Sequence, residues 1–254
     1  MNSDKNKYKI EVLKEIIKKW NNIVFFGGAG VSTESNIPDF RGNGGLYKNK
    51  EYHHNPEEIL SHDFFVNHPK EFYDYYLNEM IYPNAIPNAC HKALAKLEKM
   101  GKLKAIITQN IDGLHQAAGS INVIELHGSV KRNYCTKCNN FMNEDELVLN
   151  NGKCNVCHGI MKPDVVLYGE MLNEKSLHKA LEYITNADTL IVGGTSLVVY
   201  PAAGLIRYFR GRHLVLINEA VTEYDGIATL VIHDKIGKVL NFINEEYWGT
   251  KWFI

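Results

Sequence analysis

The chain has 254 residues, 45% of them hydrophobic, with 28 basic and 29 acidic side chains. This is long for one compact core and short for two independent ones, so a main domain with a smaller inserted lobe is expected. A net charge of −1 and a pI of about 6.8 exclude a general nucleic-acid or membrane binder on grounds of charge.

The opening MNSDKNKYK is polar and lacks the apolar region of a signal peptide. No apolar run reaches the roughly 18–20 residues of a membrane span. A cytoplasmic, reducing location is therefore expected, where cysteines need a role other than disulfides. Ile10, Leu13, Ile17 and Trp20 recur at helical spacing and predict an amphipathic helix over 8–20 with a wet, lysine-rich face. Ile23-Val24-Phe25-Phe26 then reads as a buried strand ending in glycines. Further buried strands are expected at Lys104–Thr108, Val123–Leu126, Thr189–Val192, His213–Ile217 and Thr229–Ile232. Helical patterns at Cys90–Met100, Glu174–Thr185 and Pro201–Phe209 separate several of them. Strands alternating with helices predict an α/β fold with an open parallel sheet covered on both faces, its ligands beyond the strands' carboxyl ends.

Two stretches break this alternation. Residues 46–89 are rich in Tyr, His, Asn and Pro and read as helices and loops. Residues 131–163 hold four cysteines and no long apolar run. The expected division is therefore a large domain of 1–45, 90–130 and 164–254, with 46–89 and 131–163 as two modules of a small lobe. Cys135-Thr-Lys-Cys138 and Cys154-Asn-Val-Cys157 are two C-x-x-C knuckles, the pattern of a closed, structural tetrahedral zinc site. Cys90 falls on a helical pattern with Ala93, Leu94 and Leu97 and reads as a packed residue.

After the first strand comes Gly27-Gly28-Ala29-Gly30-Val31-Ser32-Thr33, a turn that lets backbone N–H groups approach a phosphate, with the dipole of a following helix. The dehydrogenase fingerprint is incomplete, because Thr33 stands at its third glycine. Next, Pro38-Asp39-Phe40-Arg41 joins a fixed-φ proline, an aromatic ring and a guanidinium, which together can cover a leaving group and place a cation near phosphate. Thr108-Gln109-Asn110-Ile111-Asp112 and His127-Gly128 follow other strands, so amide, carboxylate and imidazole groups are expected to converge at strand ends.

At GAGVSTESNIPDFRG (28–42), TQNIDGLHQAAG (108–119), ELHGS (125–129), the two C-x-x-C pairs, KPDVVLYGE (162–170), GGTSLVVYPAA (193–203) and LIN (216–218), the sequence resembles the sirtuins, NAD-dependent protein lysine deacylases. The match runs from about residue 23 to 232 in the family's order. It implies a Rossmann-like large domain and a small lobe made of a zinc module and a helical module. Carried over by position, Ala29, Thr33, Phe40 and Arg41 contact NAD. Gln109, Ile111 and Asp112 hold the nicotinamide and its ribose, with Asn110 nearby in a catalytic role. Thr195, Ser196 and Asn218 bind the adenosine half, and Asp234 is a weakly aligned last contact. Val165, Val166, Tyr168, Gly169 and Glu170 match the segment that pairs with an acyl-lysine peptide as an added strand.

The resemblance also implies a mechanism. Nicotinamide is expelled, the acyl oxygen attacks the ribose, and His127, which also contacts NAD, acts as general base on the ribose hydroxyls, releasing lysine and O-acyl-ADP-ribose. Zinc, one structural ion, takes no part. Three positions depart from the family pattern without removing a catalytic group. Asn36 replaces a glycine and tolerates a left-handed turn, Lys162 replaces an arginine, and Tyr168 a phenylalanine. Sirtuins that prefer succinyl or malonyl groups carry Tyr-x-x-Arg; here Tyr73 is followed by Tyr76, so acidic acyl groups are expected to be disfavoured.

The competing readings are a mono-ADP-ribosyltransferase, which shares the first step, a hydride-transferring dehydrogenase, and a non-catalytic NAD- or zinc-binding module. His53, His54, His62 and His68 read as surface residues, and the aromatic end (Tyr247, Trp248, Trp252, Phe253) as packed on the large domain.

Overall fold

The computed structural model describes residues 2–39 and 54–245. Phe40, Arg41, His53 and the C-terminal Tyr247, Trp248, Trp252 and Phe253 lie outside the described residues. Six parallel strands form the main sheet: β1 (Ile23–Gly27), β2 (Leu103–Thr108), β3 (Val123–Glu125), β7 (Thr189–Gly193), β8 (His213–Ile217) and β9 (Leu230–Ile232). Their order is β3-β2-β1-β7-β8-β9, the doubly wound Rossmann-like arrangement. Every residue of β1 and β7 is buried, as a strand covered on both faces requires.

Alternation along β1 feeds two cores. Ile23 and Phe25 pack with Leu13 and Ile17 of α1 (Asn2–Lys19), Leu94 and Leu97 of α5 (Ala89–Lys99), and Val239 and Leu240 of α9 (Ile236–Leu240). Val24 and Phe26 face the other way, onto Ala180 and Ile184 of α8 (Glu174–Asn186) and the 3₁₀ segment Ala202–Tyr208. The latter replaces the expected helix over Pro201–Phe209. No helix among the described residues is long and apolar enough to cross a membrane.

The small lobe has its own core. Helices α2 (Pro56–Ile59), α3 (His62–Asn67) and α4 (Pro69–Glu79) contribute Ile59, Phe64, Phe65, Phe72, Tyr73 and Tyr76. Against them pack Met142, Leu147, Met161 and Val165, from a three-stranded antiparallel sheet and helix α7 (Glu144–Leu149). The sheet runs β5-β4-β6, formed by β4 (Gly128–Cys135), β5 (Phe141–Met142) and β6 (Met161–Val165). The cysteine-bearing stretch, which shows no long apolar run, thus contains strands. They were hidden because the β4–β6 pairing breaks register between Ser129 and Asn133, so β4 shows no steady alternation.

Helix α5 shows how local chemistry ties the frame to the site. Asn88 caps it, accepting from the Cys90 and His91 N–H groups, while His91 Nδ1 accepts from the Asn88 N–H. The Asn88 Nδ2 then donates to the Val31 carbonyl (2.8 Å) and to Ser35 Oγ (2.9 Å), beneath the glycine loop. Asn88→Ala removes the cap and orphans the Val31 acceptor, an expected loss of about 2 kcal/mol in urea unfolding. Asn88→Ser, which keeps a capping oxygen, is expected to lose less.

Candidate active site

The glycine loop leaves β1 as two single 3₁₀ turns, Ala29–Val31 and Thr33–Ser35, rather than the expected α-helix. The turn ends at Asn36, whose φ of 62° is the left-handed conformation that asparagine tolerates. With no helix of useful length, the loop has no macrodipole to offer an anion; it offers close backbone approach. A Cβ on Gly30 would lie 2.8 Å from the Gly194 Cα, and one on Gly28 would lie 2.8 Å from the Thr195 Cβ. The Gly30 N–H donates to the Gly194 carbonyl (2.8 Å), so the β1 and β7 loops meet backbone to backbone at the centre of the sheet. Here the chain winds outward in both directions, the switch point where open α/β sheets hold ligands.

Polar groups converge on this point. Gln109 donates its N–H to Gly27 O (3.0 Å) and its Nε2 to Thr195 Oγ1 (3.2 Å), bridging β1, β2 and β7. The buried Ser32 donates Oγ–H to Asp112 Oδ2 (2.6 Å) and accepts from Asn110 Nδ2 (3.0 Å). Asp112 Oδ1 accepts from the Leu114 N–H (2.8 Å), which fixes the carboxylate plane. Thr33 Oγ1 donates to Gly30 O within the loop, and Ile111 O accepts from the Val130 N–H.

His127 stands between the two lobes, after β3 and immediately before β4. Its Nδ1 lies 3.0 Å from the Gln109 carbonyl. A carbonyl only accepts, so Nδ1 carries the proton and Nε2 keeps its lone pair. Burial lowers the His127 pKa below the usual histidine value, against the opposing pull of that carbonyl, and so favours a neutral base. Gly128 follows at φ 76°; a Cβ there would stand 1.9 Å from Asp164 O, so only glycine allows this crossover. The His127 carbonyl accepts from the Val166 N–H (3.0 Å), coupling the histidine to the 165–170 segment.

That segment is anchored at its far end. Tyr168 exchanges backbone bonds with Leu60 and His62 of the helical module. The Glu170 carboxylate takes Lys162 Nζ (3.2 Å), His62 Nδ1 (2.9 Å) and the Leu167 N–H (2.9 Å). Lys162, in place of arginine, still bridges strand β6 to this carboxylate. Gly169 and half-exposed Tyr168 remain on the surface.

On the adenosine side, Thr195 is buried, Ser196 exposed and Asn218 half-buried at the end of β8. Asp234 pairs with Lys238 (2.7 Å). Ala29 is half-exposed on the loop.

The four cysteines of the two knuckles come together with their sulfurs all within 4.8 Å of one another and no disulfide among them. The Cys135–Cys157 and Cys138–Cys154 sulfur separations are 3.4 and 3.7 Å. Four thiolates about 2.3 Å from a central ion stand at nearly this spacing, so the donor set fits tetrahedral zinc with no open position.

Three residues of this site were not assigned from sequence. Ser32 lay inside the quoted motif. His91 and His115 form a buried imidazole pair, ring centroids 4.7 Å apart, below the Asp112 turn. Burial pushes His91 down to about 4 despite the nearby Asp112, and drives His115 well below its usual value. Both are therefore neutral packing partners. Their separation in sequence hid the pair.

Tyr73 and Tyr76 lie in the small-lobe core. The Tyr73 hydroxyl donates to Met161 O (2.5 Å), and Tyr76 stacks on Phe72 at 14° and is fully buried. Burial raises the Tyr76 phenol well above its usual value, with Tyr73 and Glu144 adding to the effect.

Comparison with known proteins agrees with this geometry. Residues 28–201 match the Sir2 family. An NAD-dependent protein deacetylase of Clostridium tetani is 62% identical over 239 residues, covering 92% of this chain and 96% of the relative. That of Fusobacterium nucleatum is 48% identical, covering 97% and 95%. Among solved structures, a Sir2 enzyme superposes with a TM-score of 0.84 at 40% identity, covering 93% of this chain and 96% of the other. A Sir2–p53 peptide–NAD+ complex superposes at 0.81 and 38%, covering 93% and 97%. With residues 28–201 matching the family and a relative 62% identical over 92% of the chain, the chain belongs to the Sir2 family.

Proposed function

We propose that this protein is an NAD-dependent protein lysine deacetylase that cleaves NAD to nicotinamide and O-acyl-ADP-ribose while freeing the lysine. The observation that carries the reading is His127: a buried neutral imidazole, its Nδ1–H committed to Gln109 O, its Nε2 left as a base where the two lobes meet. The relatives named as deacetylases, and Sir2 structures holding NAD+ or a deacetylated peptide with acetyl-ADP-ribose, support the same chemistry.

NAD supplies an electrophilic ribose carbon whose leaving group, nicotinamide, departs as a neutral ring. The chain's own groups bind, orient and move a proton. Ser32, Asn110 and Asp112 form one hydrogen-bonded unit, with Ile111 beside it, that offers the carboxamide both a donor and an acceptor. Gln109 spans toward the ribose, and Ala29 and Thr33 border the phosphates, with Phe40 and Arg41 assigned by family position. Thr195, Ser196 and Asn218 face the adenosine half, and the pairing of Asp234 with Lys238 argues for a minor role there. His127 Nε2 takes a proton from a ribose hydroxyl, activating it against the acyl carbon. Val165, Val166, Tyr168, Gly169 and Glu170 form the edge along which an acyl-lysine peptide lies, and Cys135, Cys138, Cys154 and Cys157 hold one structural zinc.

The large domain is assigned to 1–45, 90–130 and 164–254, with helical and zinc modules at 46–89 and 131–163. A reducing cytoplasmic location fits free thiols at a zinc site. No direct nucleic-acid or membrane partner is proposed.

The test is incubation with NAD and a panel of acyl-lysine peptides, following nicotinamide and freed lysine. Stoichiometric release of both is expected. ADP-ribose transferred to protein would instead identify a mono-ADP-ribosyltransferase, and NADH formation a dehydrogenase. Within the panel, acetyl-lysine is expected to exceed succinyl-lysine in kcat/KM by tenfold or more, on the order of one missing charge-assisted pair. Position 76 holds a fully buried tyrosine and no guanidinium, so it offers an acyl carboxylate no cationic partner. A succinyl preference would overturn this specificity.

A further inference from the structure

Strand β8 ends at Ile217, and Asn218 begins the loop that leads to β9. Three bonds hold Asn218. Its N–H donates to Ile232 O (3.1 Å), its Nδ2 donates to Ala220 O (2.9 Å), and its carbonyl accepts from His233 Nδ1 (3.0 Å). The other ring nitrogen of His233 lies 3.0 Å from Asp225 Oδ2, across the same loop. Asp225 is itself built in. Its Oδ1 accepts from the Thr222 N–H (3.0 Å) and Thr222 Oγ1 (2.7 Å), and its own N–H donates to Thr222 O (3.2 Å). One imidazole therefore braces the first residue of the loop against a compact turn further along it.

The brace is not needed to build the sheet, because β8 and β9 already pair through Val215–Leu230, Leu216–Val231 and Ile217–Ile232. Nor, among the described residues, is it part of a wider ion-pair network. Asp234 pairs with Lys238, and Lys9 of α1 donates to the Val231 carbonyl. What it does is limit the conformations open to Asn218, whose Nδ2 is committed to Ala220 and whose Oδ1 is the atom offered to a ligand. A loop ordered beforehand does not have to be ordered at binding.

We propose that His233, acting with Asp225, is a positioning residue of the dinucleotide site, holding Asn218 in the shape that grips the adenosine half. This rests on the assignment of Asn218 to that half.

The test uses the full chain and ADP-ribose, which needs no turnover. His233→Ala is expected to raise the ADP-ribose Kd and the KM for NAD by about three- to tenfold, the range of one or two lost hydrogen bonds, with kcat at saturating NAD unchanged. Asp225→Ala is expected to act similarly, and the double variant to be no worse than the weaker-binding single, as for one shared brace. His233→Gln, which keeps a donor for the Asn218 carbonyl, is expected to recover part of the loss. An unchanged Kd in His233→Ala, additive losses in the double variant, or a fall in kcat matching the rise in KM would overturn the proposal. Failure of the unaltered protein to bind ADP-ribose would instead overturn the dinucleotide reading itself. If His233→Ala does not fold, the Asp225→Ala measurement and the His233→Gln Kd decide alone.

Discussion

His127→Ala is expected to bind NAD with near-unaltered affinity and to lose deacylation by a factor on the order of 10²–10⁴, the usual contribution of a positioned acid–base group. The imidazole donates to one backbone carbonyl and, among the described residues, anchors no side chain, so its removal leaves the Ser32–Asn110–Asp112 unit and the Gln109–Thr195 bridge in place. Binding and chemistry should therefore separate cleanly. His127→Asn, which can still donate toward Gln109 O but has no basic nitrogen, should remain as inactive as the alanine variant. Because burial lowers the His127 pKa, the acid limb of kcat/KM should fall below the range of an exposed histidine: activity persists on acidification and is lost only once Nε2 is protonated. Deacylation by His127→Ala at the unaltered rate, in single-turnover measurements, would remove His127 from the mechanism.

The second large effect is expected from the cysteine site. Chelation of the metal, or Cys154→Ser, should abolish activity by unfolding the small lobe, although zinc takes no part in the reaction. The sulfur cluster borders the lobe's core: Cys135 and Cys154 are buried with Met142, Leu147 and Met161, and through Met161 with Tyr73. Strands of two to eight residues cannot enclose that core by apolar burial alone, so metal binding supplies folding energy. The signature is one zinc per chain lost together with lobe structure, read by metal analysis and by hydrogen exchange at Tyr73–Tyr76. Exchange in β1 and β7 should change far less. A metal-free protein with full activity and an unaltered lobe would contradict this.

Legibility followed the length scale of the physics. The six main strands were readable because β1 and β7 are continuous apolar runs bounded by glycine and polar residues. The zinc ligands were readable because knuckle spacing is local. The strand-end cluster was readable only as a convergence, and family resemblance supplied its roles. What stayed hidden depended on distant partners. The His91–His115 pair and the contact of Ser32 with Asp112 join segments far apart in sequence, and no periodicity reports them. Strand β4 was lost to its own bulge. The glycine loop was misread as a helix start because 3₁₀ turns and a first helical turn share the same residues, and only the left-handed Asn36 ends the segment. The burial of Tyr76 depended on a core assembled from two separated stretches.

The sheet order also has a consequence for how the chain reaches this state. Ile23 must find Leu103 on one side and Thr189 on the other, and the small lobe emerges from both intervening stretches. Its core draws together Ile59 through Ile81 and Val130 through Leu167, so the first stretch cannot complete its packing until the second has been synthesised. Such distant pairings make for slow folding with little local reward. During synthesis the first third of the molecule waits with Phe25, Phe26 and Phe72 uncovered, a stage at which chaperone dependence and aggregation are set.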